Sequence, residues 1–187
     1  MAGLRGVFQA VIAGCHNFPY FKYDEKRNLL VIVPLRCGSR SVERALPEAK
    51  GVLFKQAMEL NQKGVRTVGV YRHTCDRVVS GLFGPLNAKR QLIHPPADTL
   101  EKQLIYWLWM NDPHVSPVIF AYRNMRIDHK VNFENYTEEW NALGLPPIKN
   151  EHKNENRPKG WKDVLDWSLF WHIYKRDFDL DPMWEKP

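Results

Sequence analysis

Two short segments of this chain gather residue types suited to gripping an anion. The first, Leu35-Arg36-Cys37-Gly38-Ser39-Arg40-Ser41, combines two arginines, a glycine and two hydroxyls. Where such a segment opens a helix, the first backbone N–H groups lack intrahelical partners and attract a phosphate or sulfate. Gly38 allows close backbone approach, Ser39 and Ser41 can donate hydrogen bonds, and Arg36 adds charge. The segment does not carry the GxxxxGK[ST] pattern of a Walker A loop. Taken alone, it also reads as an ordinary polar turn capping a helix. The second segment runs from Arg72 to Ser80, with Arg77 between. Arginine binds phosphate bidentately and serine adds a neutral donor, so Arg72 and Ser80 could line one rim. The bland counterpart is an Arg72–Asp76 pair on a solvated edge.

These residues need elements to place them. Leu29-Leu30-Val31-Ile32-Val33 is a continuous apolar run of strand length, as expected of a strand buried on both faces, and Pro34 closes it. Ser41 through Leu46 can start a helix that Pro47 interrupts. Arg66 to Tyr71 reads as a second strand with Arg72 at its end. Thr74 or Asp76 can then cap a helix carrying Val78, Val79 and Leu82, which Gly84-Pro85 ends. Pro95-Pro96 is a loop. Asp98 opens a helix whose apolar face is Leu100, Leu104, Trp107, Leu108 and Trp109. Val118 to Tyr122 and Lys130 to Phe133 read as two more strands, and Glu138 to Leu143 as a helix. Pro146 to Lys162 is a long polar, basic loop, and Val164 to about Tyr174 a final helix. Strands alternating with helices predict a parallel α/β domain, whose ligands bind beyond the carboxyl ends of the strands. Arg36 and Arg72 both sit at such ends, so they should converge on one crevice.

The composition sets outer bounds. The chain has 187 residues, 44% hydrophobic and 26% charged, as expected of one globular domain over 1–187. A net charge of +6 favours an anionic partner. Cys15, Cys37 and Cys75 cannot form a fully paired framework and have no metal-site spacing, so reduced thiols are expected. Arg36 and the helix start beside Cys37 predict a lowered thiol pKa. His16, His129, His152 and His172 have no partner spacing, and no metal site is proposed. The apolar stretch Val7 to Ala13 is far short of the ~20 residues of a membrane span. A cytoplasmic or otherwise soluble intracellular protein is therefore expected. Trp107 and Trp109 read as core; Trp161, Trp167 and Trp171 read as packing residues, or as a stacking surface for a base.

Val33 to Val42, followed by Val70 to Leu82, resembles the signature pair of sulfotransferases that use 3′-phosphoadenosine-5′-phosphosulfate (PAPS), closest to the carbohydrate sulfotransferase branch. The first element is similar to their 5′-phosphosulfate loop, K-x-G-x-[ST]-S, and the second to their 3′-phosphate element, R-[DEH]-P-x-x-R-x-x-S. Asp112 to Pro117 is similar to a histidine segment of that branch, and Asp128 to Glu134 to its strand ending in Phe/Tyr-Glu. Arg157-Pro158-Lys159-Gly160 resembles the late basic-glycine loop, and Tyr174-Lys175-Arg176-Asp177-Phe178 the terminal Tyr-x-x-Asp-Phe. Three positions depart from the pattern: Arg36 stands for the usual lysine, Arg40 for a small hydroxyl residue, and Thr74 for proline.

The resemblance implies a P-loop-like three-layer domain with a central, mainly parallel sheet flanked by helices. It also implies transfer of a sulfuryl group from PAPS to a hydroxylated acceptor, such as a saccharide, releasing 3′-phosphoadenosine 5′-phosphate (PAP). Arg36, Cys37, Gly38, Ser39, Arg40 and Ser41 would hold the 5′-phosphosulfate. Arg72 and Ser80, helped by Arg157, Lys159 and Gly160, would hold the 3′-phosphate. No metal is required, because arginines carry the charge. For the general base the candidates are His114, His73, His94, Glu43 and Glu59, and His114 is preferred because it sits in the family-like segment. Two rival readings are a PAP-binding module that has lost transfer and, less favoured, a basic nucleic-acid-binding protein.

Overall fold

A computed structural model describes residues 20–82, 104, 106–108, 114–122, 124–149 and 167–178. Its strands are β1 (Phe21–Asp24), β2 (Leu29–Ile32), β3 (Lys50–Val52), β4 (Arg66–Tyr71) and β5 (His129–Asn132). The helices are α1 (Ser39–Ala45), α2 (Phe54–Gln62), α3 (Thr74–Leu82), α4 (Ile119–Tyr122), α5 (Tyr136–Ala142) and α6 (Trp167–Phe178), with a 3₁₀ turn over Phe133–Asn135. The strands form one sheet in the order β3-β1-β2-β4-β5.

β2, β4 and β5 pair in parallel, whereas β1 runs antiparallel to both β2 and β3. The sheet is therefore mixed, and the mainly parallel sheet expected from the sequence is corrected in its first half. The cause is local. β1 and β2 are joined only by residues 25–28, too short for a crossover, so they must form a hairpin. Asn28 turns it at φ 47°. The Asp24 carboxylate closes it, accepting from the Arg27 backbone N–H at 3.2 Å and from its guanidinium at 2.7 Å.

β2 is buried along its whole length, as a continuous apolar run requires. Leu29 and Val31 share a core with Val68, Val70 and Val131, covered by Val42 of α1, by Leu46 just after it, and by Tyr136 and Trp140 of α5. Leu30 and Ile32 belong to the opposite core, with Ala57 of α2 and Ala121 and Tyr122 of α4. Helices thus flank the sheet on both faces. A third cluster joins α3 to α6 through Val78, Val79, Leu82, Phe170, Ile173 and Tyr174, and takes in Leu104, Trp107 and Leu108. Leu104, Trp107 and Leu108 of the face expected from the sequence are core there, while Leu100 and Trp109 lie outside the described residues.

The segment Val118 to Tyr122, expected as a strand, is instead helical over Ile119–Tyr122. The Asp177 carboxylate accepts the N–H groups of Val118 and Ile119, each at 2.9 Å, and so caps this helix from α6. Among the described residues no helix is long and apolar enough to cross a membrane. Gly84-Pro85, Pro95-Pro96, most of the helix expected from Asp98, and the greater part of the 146–162 loop lie outside the described residues.

Candidate functional site

The chain leaves β2 through Val33 and Pro34 and turns sharply, the Cys37 N–H donating to the Pro34 carbonyl at 3.0 Å. Two residues of this turn are left-handed, Arg36 at φ 69° and Gly38 at φ 84°. Gly38 then accepts from the Ser41 and Val42 N–H groups at 2.9 and 3.1 Å, starting α1. A left-handed arginine is uncommon and needs support from its surroundings. That support comes from β4. Arg72, the residue after β4, donates from Nη1 to the Arg36 carbonyl at 2.7 Å. The Arg72 guanidinium also lies over the Phe133 ring, 4.6 Å from its centroid, at the end of β5. Arg36, Arg72 and Phe133 therefore meet beyond the carboxyl ends of three adjacent parallel strands.

Beneath them lies a small hollow with Cys37, Tyr71, Arg72, Thr74 and Asp177 among its walls, roomy enough for about one water molecule. The lowered Cys37 pKa expected from the sequence is corrected here. Burial pushes the thiol up to about 12, outweighing the positive Arg77 and Arg72. Cys37 is accordingly expected to resist iodoacetamide at pH 8 in the native protein and to react once unfolded, as mass mapping of the alkylated peptides would show.

Gly38 is required for two reasons. Its φ suits glycine, and a Cβ there would lie 2.5 Å from Cε1 of Tyr136 and 3.1 Å from Cε2 of Phe133. The space it leaves clear of a side chain is thus filled by the aromatic pair after β5, and the Tyr136 hydroxyl donates to the Gly38 carbonyl at 3.4 Å. Gly38→Ala should cost about 1–2 kcal/mol from the left-handed backbone alone, with the ring overlap adding to it. A lowered urea midpoint at unchanged slope would register this.

The remaining residues of the two segments divide clearly. Arg40 is exposed, Ser39 is half-buried and Ser41 is buried. Ser80 is 4% exposed, inside α3, and is not among the residues that wall the small hollow. Arg77, three residues before Ser80, is 1% exposed and faces Asp177 at 3.4 Å, locking α3 to α6. Asp76, the expected alternative partner of Arg72, lies 3.9 Å from Nδ1 of His73. His114 is half-buried, and its carbonyl accepts from Arg77 at 3.4 Å. Glu43 pairs with Lys22 at 2.9 Å, and Glu59 is exposed on α2. Arg157, Lys159, Gly160 and His94 lie outside the described residues.

Sequence reasoning passed over Phe133, the aromatic seat of Arg72. Its partner could be named only once β5 was known to lie beside β4. Asp177 was noted in a motif but without a role; its three donors come from Arg77, Val118 and Ile119. Among the described residues no group of His, Cys, Asp or Glu could hold a metal ion. No family model, no curated protein and no solved structure matches this chain.

Proposed function

We propose that this chain is a PAPS-dependent sulfotransferase acting on a hydroxylated acceptor, with a P-loop-like three-layer fold. The observation that carries the reading is the Arg72–Arg36 contact of 2.7 Å at the carboxyl ends of neighbouring parallel strands. Its sequence context, the paired segments that resemble the two nucleotide-gripping elements of sulfotransferases, supplies the chemistry. Arg36, with Ser39 and the Gly38 turn, takes the 5′-phosphosulfate, and Arg72 takes the 3′-phosphate with Arg157 and Lys159. Because the hollow beneath the arginines holds only about a water, the nucleotide belongs above it, along the rim formed by Arg36 and Arg72. Sulfuryl transfer asks the protein to align the acceptor oxygen, sulfur and leaving oxygen, and to stabilise the charge growing on the leaving phosphate. Fixed guanidinium groups meet the second demand without reorganising.

A PAP-binding module without transfer activity is the second reading. It is favoured by Arg36, a bulky residue whose left-handed backbone is tied to Arg72 where the family has a compact lysine. Thermal stabilisation by PAP, compared with AMP and ATP, tests the pocket common to both readings. Selective stabilisation by PAP supports it, and equal responses to all three remove the 3′-phosphate site. Transfer of radiolabelled sulfate from PAPS to a saccharide panel then separates enzyme from binding module.

A further inference from the structure

Phe133 borders both grips of the nucleotide site. It follows β5, opens the 3₁₀ turn Phe133–Asn135 and is half-buried. The Arg72 guanidinium lies over its ring, 4.6 Å from the centroid. The same ring crowds the Gly38 turn, where Cε2 would stand 3.1 Å from a Cβ. Arg72 in turn donates from Nη1 to the Arg36 carbonyl at 2.7 Å. One ring thus bears on where the guanidinium after β4 lies relative to the turn after β2.

The ring is itself firmly held. The Asn132 side chain accepts from the Glu134 N–H at 3.1 Å, and the Asn132 N–H donates to the Glu139 carboxylate at 2.6 Å. Phe133 packs on Tyr136 with ring centroids 5.5 Å apart, and Tyr136 meets Trp140 edge-on at 6.0 Å. Tyr136 and Trp140 are buried, and the Trp140 indole donates to the Pro146 carbonyl at 2.8 Å. The seat of Arg72 is therefore anchored in the core under α5.

We infer that Phe133 is a positioning residue of the PAP site proposed above, on which reading this role rests. It holds Arg72 at a fixed offset from the Gly38 turn. A long side chain left free must be ordered when phosphate binds, whereas a stacked one is already in place. The two phosphates of PAP are carried by one ribose, so moving the second from the 3′ to the 2′ oxygen displaces it relative to the first. Grips at a fixed offset distinguish the two isomers, and a loose Arg72 would follow either. Phe133 thereby sets the selectivity for the 3′-phosphate.

The test titrates the full chain calorimetrically with PAP, adenosine 2′,5′-bisphosphate and AMP. Phe133→Leu should lower PAP affinity by about 2- to 12-fold, the cost of ordering one long side chain. The other two ligands should lose less, so the preference for PAP narrows. Phe133→Tyr keeps the ring and should keep the preference. Trifluorophenylalanine at position 133 preserves the shape while weakening the ring's attraction for a cation. It should lose part of the preference, and it decides the matter if Phe133→Leu does not fold. An unchanged ratio of PAP to 2′,5′-isomer affinity, or an equal fall for all three ligands, overturns the role of Phe133. So does a Phe133→Tyr protein that loses as much preference as Phe133→Leu. Wild-type protein that binds both bisphosphates equally, and AMP more weakly, overturns it while leaving a nucleotide pocket. Wild-type protein that does not bind PAP overturns the pocket reading itself.

Discussion

Arg72→Ala is expected to weaken PAP binding by about 10- to 100-fold, the loss of one or two charge-assisted hydrogen bonds to phosphate. The residue does two jobs, and a pair of variants separates them. Its guanidinium holds the left-handed Arg36 turn through the 2.7 Å bond to the Arg36 carbonyl, and it rests on Phe133. Lysine would keep the charge yet cannot make the same planar stack or fork. Arg72→Lys should therefore recover only part of the affinity, whereas AMP, which lacks the 3′-phosphate, should lose affinity only as far as loosening of the Arg36 turn disturbs the 5′-phosphate end, and so by less than PAP. Calorimetric titration with PAP and AMP reads both effects. Equal PAP affinity in wild type and Arg72→Ala would take Arg72 out of the site. The circular dichroism of the variant should remain that of the wild type, because Arg72 lies at the rim of the cores and not within them.

Asp177→Ala should be the most destabilising single change in the described region. The Asp177 side chain is fully buried, and three donors converge on it: the Arg77 guanidinium at 3.4 Å and the Val118 and Ile119 N–H groups at 2.9 Å. Removing it strands a buried guanidinium and two amides at once. Breaking a buried pair from one side costs about 3–5 kcal/mol, because the charge left behind has no compensation. For a chain of this size that corresponds to a fall of roughly 6–20 °C in melting temperature. Asp177→Asn keeps an oxygen for one amide and should lose less. Replacing both members, Arg77→Met with Asp177→Leu, should recover much of the loss, since an apolar pair of similar volume leaves no unpaired charge. A thermal melt of the four proteins checks the order. If the double variant were no better than Asp177→Ala, the helix cap on Val118 and Ile119 would outweigh the ion pair.

The consequences of this network reach the site, because Asp177 also forms a wall of the hollow below Arg72. The Tyr174 hydroxyl, one turn earlier in α6, donates to the Val115 carbonyl at 2.5 Å. Together they pin residues 115–119 between α3 and the sheet. Helix α6 thus supports the strand ends from behind.

How much of this was legible in the residues varies from element to element. β2 and β4 were readable because a continuous apolar run cannot be left in water, and Pro34 and Arg72 mark where each run stops. α3 was readable from its apolar spacing. β1 and β3 were not: Phe21–Asp24 alternates over only four residues, and Lys50–Val52 is a largely exposed edge strand of three. α2 is a weakly apolar helix that buries Ala57 and Asn61, and it left no clear signal either. Val118 to Tyr122 misled because a short run rich in large apolar residues fits a strand or a buried helix equally well. The choice was made by a carboxylate far along the chain.

The amino-acid order alone determined that two arginines stand at the ends of buried strands, since burial of the runs before them and the charge on each leave no other placement. Tertiary structure decided the rest: that Arg72 reaches the Arg36 carbonyl, that Phe133 lies under it, that Tyr136 fills the space beside Gly38, and that burial leaves Cys37 protonated. Each of these depends on which strand lies beside which. Strand neighbours are chosen by the packing of whole faces, a sum over many distant side chains that no local pattern contains.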